Sequence, residues 1–232
     1  MSSYGKIILN IPHSSSIIPV NTWNGDIQCE VNKWTDWFTD VIFKPRGIDD
    51  RIVPVVFSFS RFFCDVERLK ENEPLEEVGQ GRFYTNFNGC TREKEGEAYI
   101  MAEQACLLHD IQLSSQINGN DNLIIDCHSF PSKLAPDIDI CLGWNNDWSK
   151  PSDALIEQIK GYFEGFNYNV AFNAPYSNSI TPDSPHRYHS LMIEVNKKVY
   201  MNEESLKLLG SAYKFNIAMW YLYKKILDKW KY

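Results

Sequence analysis

The sequence predicts an α/β sandwich built on a largely parallel sheet. Three features carry that expectation. Short β-branched apolar runs alternate with segments of helical periodicity along the chain. Two of those runs, KIILNI and NLIIDC, lead directly into His13-Ser14 and His128-Ser129, so two histidines stand just beyond strand ends. That is where open α/β sheets place their ligand crevice. No internal repeat and no Gly/Ser/Pro linker divides the 232 residues, so a single domain over 1–232 is expected.

Lys6–Ile11 reads as a buried strand that Pro12 stops, followed by the polar loop His13-Ser14-Ser15-Ser16. Val31, Trp34, Trp37, Phe38, Val41 and Ile42 recur at helical spacing and predict one helix over 31–43. Residues 51–58 (RIVPVVFS) predict a strand in which Pro54 marks an edge position or an irregularity. The polar stretch 64–92 reads as loop, and 93–117, with Ile100, Ala105, Leu108 and Ile111, as the next helix. Strands are expected at 122–127, 139–143, 168–172 and 191–195, helices near 152–163 and over 203–229, and loop over 173–189.

Thirty acidic residues against 23 basic ones give a net charge of −7, which argues against nonspecific nucleic-acid binding. A chain of this length buries roughly 70% of its unfolded surface and needs no disulfide or metal merely to hold a core. No apolar run reaches the ~20 residues that span a bilayer. The first ten residues lack the pattern of a secretory signal, so a cytoplasmic location and free, mostly buried cysteines are expected. Oligomeric state is not legible.

His13 and His128 suit Zn²⁺, which in catalytic sites takes three protein ligands and one open position. A third ligand is owed, with Asp36, Asp65, Asp126 and Glu194 as candidates. Asp126, two residues before His128, shares its side of the strand and could instead orient the imidazole. Asp36 follows Thr35 and would lie in the first turn of a helix capped there, although opposite the apolar stripe. Glu194 stands in LMIEVN, alternating with Ile193 and Val195; it reads either as a half-exposed edge position or as a general base raised by partial burial. Arg61 and Arg68 bracket RFFCDVER, as structural ion pairs with Asp65 or Glu67 or as forks for a carboxylate or oxyanion. Cys127 and His128, as strand neighbours, point to opposite faces and make no dyad. His186 and His189 are read as surface groups and His109 as packing or surface.

Taken together, IPHSSSIIP, TDWFTDVIF, SRFFCDVER, GQGRFYT, IIDCHSFP, DICLG, NAPYSNSITP and MIEVNKKVYM resemble, in order and over nearly the whole chain, the N-formylglutamate amidohydrolase family. The resemblance implies a zinc-exopeptidase-like, three-layer α/β/α sandwich with a mixed, largely parallel sheet. It implies one Zn²⁺ per chain held by His13, Asp36 and His128, with Glu194 as general base and Arg61 either gripping the substrate carboxylate or polarising the scissile carbonyl. Arg68, Asn173 and Tyr176 would then contact a small acidic N-acyl amino acid, N-formyl-L-glutamate above all, cleaved to formate and glutamate as in histidine degradation. The sequence departs from the family at Glu67, where the DxNR segment carries Asn, and at Asn178, where the loop carries Gly. Two other readings stand beside this one: a zinc peptidase or cell-wall amidase with the same site, and a non-catalytic binding protein on the scaffold. A cysteine hydrolase would be inactivated by thiol alkylation and indifferent to chelators.

Overall fold

The computed structural model describes residues 4–119 and 121–228. In chain order the elements are β1 (Lys6–Ile11), α1 (Gln28–Trp34), α2 (Thr39–Ile42), β2 (Ile52–Val56), a 3-10 turn (Pro74–Val78), β3 (Asn86–Phe87), β4 (Cys90–Thr91), α3 (Gly96–Ser115), β5 (Asn122–Phe130), β6 (Ile140–Gly143), α4 (Asp153–Glu164), β7 (Val170–Phe172), β8 (Tyr188–Asn196), β9 (Met201–Asn202), β10 (Lys207–Leu208) and α5 (Gly210–Leu227). Six strands form one sheet in the order β2-β1-β5-β8-β6-β7. Every pair in it is parallel except β6 with β8. Pro54 lies on the edge strand β2, where its missing N–H costs no ladder bond.

Side-chain alternation gives the two sheet faces different tasks. Ile7, Leu9, Ile11, Leu123, Ile125, Leu191 and Ile193 bury one face against α4 and α5, through Ile159, Phe163, Phe215, Met219 and Leu222. On the other face Ile8, Val55, Ile124 and Tyr188 pack against Leu113 of α3 and Ile117. Helices therefore cover both sides, as an α/β sandwich requires. The α3 face changes character along the strands: it starts apolar and becomes Asn10, Asp126, His128 and Glu194 at the carboxyl ends, with Asn10 opposite Asp126 and His128 opposite Glu194.

Three helices differ from the expectation. The 31–43 segment is two helices, because Phe38 adopts a left-handed backbone (φ 65°) and 35–38 forms a connection. Asp36 therefore sits in that connection and not in a helix's first turn. α3 buries Ala98, Ala102, Cys106, His109 and Leu113 and exposes Ile100, Leu108 and Ile111. It is apolar on several sides, so periodicity could not choose its face; the small residues win because they admit close approach to Phe57, Phe63 and Phe83. The last helix begins at Gly210, after the short hairpin β9–β10, and position 229 lies outside the described residues. All six cysteines are free, and only Cys29 is exposed. No described helix is long and apolar enough to cross a membrane.

The entry to β2 is tied to α5 by Asp49, which accepts from Arg51 Nε (3.0 Å) and Nη2 (2.9 Å) and pairs with Lys224. The Arg51 guanidinium holds the Asp49 carboxyl well below the usual carboxylate range, with Lys224 adding to it. A depressed pKa stabilises the fold above the unfolded value of about 3.9 and stops doing so as pH falls through the folded value. Asp49→Asn should therefore lower the melting temperature at pH 7, and the gap to wild type should shrink steadily below about pH 4. Thermal melts across pH check this; a gap that does not depend on pH would contradict it.

Candidate metal centre

The strand ends and one loop bring the sequence-predicted ligand candidates together. β1 delivers His13 past Pro12, β5 carries Asp126 and His128 on one face, and neighbouring β8 sets Glu194 beside His128. Asp36 arrives from the α1–α2 connection, where its N–H donates to the His13 carbonyl (2.9 Å). The metal-ligating atoms of His13, Asp36 and His128 lie within 4.8 Å of one another, and all three residues are buried. Asp36 Oδ2 stands 3.2 Å from His128 Nδ1 and 3.8 Å from His13 Nδ1. Ligands about 2.1 Å from a tetrahedral ion stand about 3.4 Å apart, so the spacing fits one divalent cation.

The far nitrogens fix which atoms face that point. The Arg61 guanidinium donates to His13 Nδ1, so Nδ1 carries the lone pair, which a cation would take over only as Arg61 turns away, and Nε2–H donates to Asp65 Oδ1 (2.8 Å). His128 Nε2 donates to Asp126 Oδ1 (3.1 Å), leaving Nδ1 toward Asp36. Each imidazole thus presents Nδ1 inward with a carboxylate behind it, the arrangement that orients histidine ligands in metal sites. Asp65 and Asp126, both open as ligands from the sequence, stand behind the histidines. They are themselves held: Tyr84 Oη donates to Asp65, and Asn10 Nδ2 donates to Asp126 (2.9 Å) and Glu67 (2.7 Å). His109 donates to Asn10 Oδ1 (3.0 Å). A second set, Glu67, Asp126 and His128, also has ligand spacing, but it shares His128 and needs the nitrogen already given to Asp126.

The electrostatics favour a cation. Asp36, Asp65, Glu67, Asp126 and Glu194 line one cavity together with Arg61, Arg68 and Lys197, and acidic groups outnumber permanent cations over the whole lining. Where the compensation is missing, protons take its place. Burial pushes Glu194 up to about 8, with Asp36 and Asp126 adding to the shift and His128 and Arg61 opposing it. Burial likewise pushes Glu67 up to about 8, helped by Asp126 and Asp65. Burial alone would lower His128, but Asp126, Asp36 and Glu67 outweigh it and raise its pKa well above the ordinary value. His13 moves the other way, down to about 4, through burial and the Arg61 charge.

Glu194 is 6% exposed and central in the sheet, so the edge-strand alternative falls away; its Oε2 has no partner. Arg61 is turned onto His13, with Nε unpartnered. Arg68 is loosely held, 3.5 Å from Asp65 and 3.4 Å from Tyr84 Oη, and lines the cavity along with Tyr176. Asn173 does not line it: its Oδ1 accepts from the Trp144 N–H (3.1 Å). Asn178 takes φ 72°, the left-handed turn expected of the residue replacing glycine. Cys127 faces the apolar core, and His186 is exposed. His189 lies within β8, paired with Tyr4 (3.0 Å). Asn10 and Lys197 were not singled out from the sequence, although a polar residue closing an apolar strand was the visible signal for Asn10.

A model of the N-formylglutamate amidohydrolase family matches residues 5–201. The chain belongs to this family. Its structure is similar to that of N-formylglutamate amidohydrolase from Ralstonia eutropha JMP134, with a TM-score of 0.73 and 15% identity over 99% of this chain and 95% of that one. It is also similar to the gene product Atu2144 from Agrobacterium tumefaciens, with a TM-score of 0.64 and 16% identity over 99% and 92%. At these identities the likeness shows the fold. No curated protein matches the chain by sequence.

Two outcomes are expected of this amidohydrolase-family site. Asp65→Asn and Asp126→Asn should each weaken affinity for a divalent cation by about 10–100-fold in equilibrium titrations of folded protein. Because an imidazole must be neutral to ligate, the raised His128 pKa opposes binding at low pH. Affinity should therefore climb as pH rises through 7, with proton release on binding measurable in weakly buffered solution. Affinity flat with pH would contradict the assignment of His128.

Proposed function

We propose that the chain is a zinc-dependent amidohydrolase that cleaves the amide of N-formyl-L-glutamate to formate and L-glutamate. The observation that carries this reading is the buried His13–Asp36–His128 cluster, each histidine backed by an aspartate, with the unpartnered Glu194 carboxylate on the adjoining strand. Two imidazoles and a carboxylate are a donor set that suits Zn²⁺. When bound, Zn²⁺ supplies Lewis acidity toward the carbonyl and lowers the pKa of water to about 7.

The remaining work falls to the chain's own side chains. Glu194 takes a proton from the attacking water: a cation beside it would bring its raised pKa back toward neutrality, so that the carboxyl is ionised and still basic. The same carboxyl then returns the proton to the leaving amine nitrogen. Arg61, half-buried and carrying an unspent Nε–H, donates to the oxyanion as it develops. Arg68 pairs with a substrate carboxylate, its guanidinium being held by only long contacts. Tyr176 lines the same cavity and would contact the substrate. A second reading, a peptidase or an amidase for larger N-acyl amino acids, draws on one observation: the cavity measures about 1330 Å³, above the roughly 300–1000 Å³ of ordinary small-molecule pockets.

Glu194→Gln should retain the metal and lose about 10²–10⁴-fold in kcat. Arg68→Ala should raise KM for acidic substrates far more than for neutral N-formyl amino acids, in steady-state assays of both. Removing metal with a chelator should abolish formate release, and Zn²⁺ should restore it. Zinc-loaded protein that hydrolyses N-acyl peptides but not N-formylglutamate would favour the second reading. Full turnover in the metal-free protein would reject both.

A further inference from the structure

Lys197 is 2% exposed, three residues beyond Glu194 at the end of β8, and its ammonium is spent on backbone. Nζ donates to the carbonyls of Lys33 and Thr35, at 2.8 Å each. The Thr35 carbonyl belongs to the same peptide group as the Asp36 N–H, and that N–H donates to the His13 carbonyl (2.9 Å). One peptide plane is thus clamped on both sides, by the strand that carries Glu194 and by the residue that carries a ligand imidazole. The next carbonyl, that of Asp36, accepts from Thr39 N–H (3.1 Å) and Thr39 Oγ1 (2.8 Å). No helix supplies this rigidity, because 35–38 lies between α1 and α2.

We propose that Lys197 is a positioning residue that fixes the direction of the Asp36 carboxylate by clamping the Thr35–Asp36 peptide group. A buried lysine is costly unless its charge is compensated. Here the exposed carbonyls at the end of α1 and the nearby Asp36 carboxylate provide the compensation, as at a helix C-terminus. The inference rests on the reading of Asp36 as a ligand, and its test separates the two.

The experiment uses the full chain, stripped of metal and titrated with Zn²⁺, together with amide hydrogen exchange on the metal-free protein. Lys197→Met should weaken Zn²⁺ affinity by about 10–100-fold. Excess Zn²⁺ should recover most of its kcat, and exchange should accelerate at residues 35–37 while β5 stays protected. Lys197→Gln, which keeps a donor at shorter reach, should lie between Met and wild type and serves in place of the Met variant if that fails to fold. A folded variant with wild-type Zn²⁺ affinity and unchanged exchange at 35–37 would overturn the proposal. So would rapid exchange of the Asp36 amide in the wild-type chain. Wild-type protein that protects that amide but binds no Zn²⁺ would instead overturn the ligand reading and leave the clamp standing.

Discussion

Five carboxylates crowd the carboxyl ends of β1, β5 and β8, and most other features of the molecule serve to hold them there. Buried like charges at such distances repel strongly, and isolated buried carboxylates neutralise unless compensated. The chain compensates in layers. Imidazoles separate Asp36 from Asp65 and Asp126; Asn10 and Tyr84 donate to the outer carboxylates; Arg61 and Arg68 lie along the rim. Burial raises the proton affinities of Glu194 and Glu67, with neighbouring carboxylates adding to it, and the same carboxylates raise His128 against its burial.

The sheet makes that concentration tolerable. The odd-numbered residues of β1, β5 and β8 commit one face to the core with α4 and α5. The even-numbered residues of β5 serve both ends of the other face: Ile124 packs under α3, while Asp126 and His128, one and two pleats on, enter the cavity. A one-residue slip would drive Asp126 and Glu194 into the apolar side, so the register of β5 and β8 is fixed by polarity as well as by packing.

Much of this was legible in the residues, and the failures have definable causes. His13 and His128 announced themselves because each follows a strongly apolar β-branched run, and such runs end at a crevice. Asp126 was legible by alternation. The α/β class followed from alternating periodicities, and Pro54 correctly marked an edge. Asp36 was identified as a candidate but placed in the wrong local structure. The aromatic spacing of 31–43 is helical, but Phe38 turns left-handed and long-range bonds from Lys197 and to His13 hold 35–36 outside a helix. Asp65 was ambiguous because its role depends on which nitrogen of His13 it reaches, a fact of three-dimensional packing. Lys197 was invisible for a similar reason: a lysine beside a lysine at a strand end reads as solvated surface. The face of α3 misled because apolar residues surround it, and Ala98, Ala102 and Cys106 are buried for their small size.

The three candidate ligands come from positions 13, 36 and 128, with the neighbouring carboxylate at 194, so no short stretch of chain holds the site. Its assembly must wait for β1, β5 and β8, distant in sequence, to pair in parallel, which is a slow kind of closure. An unfolded or half-folded chain offers a cation only scattered ligands. An ion that binds here therefore favours the native state alone, and free ion at about 1,000 times its dissociation constant adds about 4 kcal/mol to the folding free energy. For a chain that binds such an ion, metal supply would set how long the fold survives, apart from whether it turns over substrate.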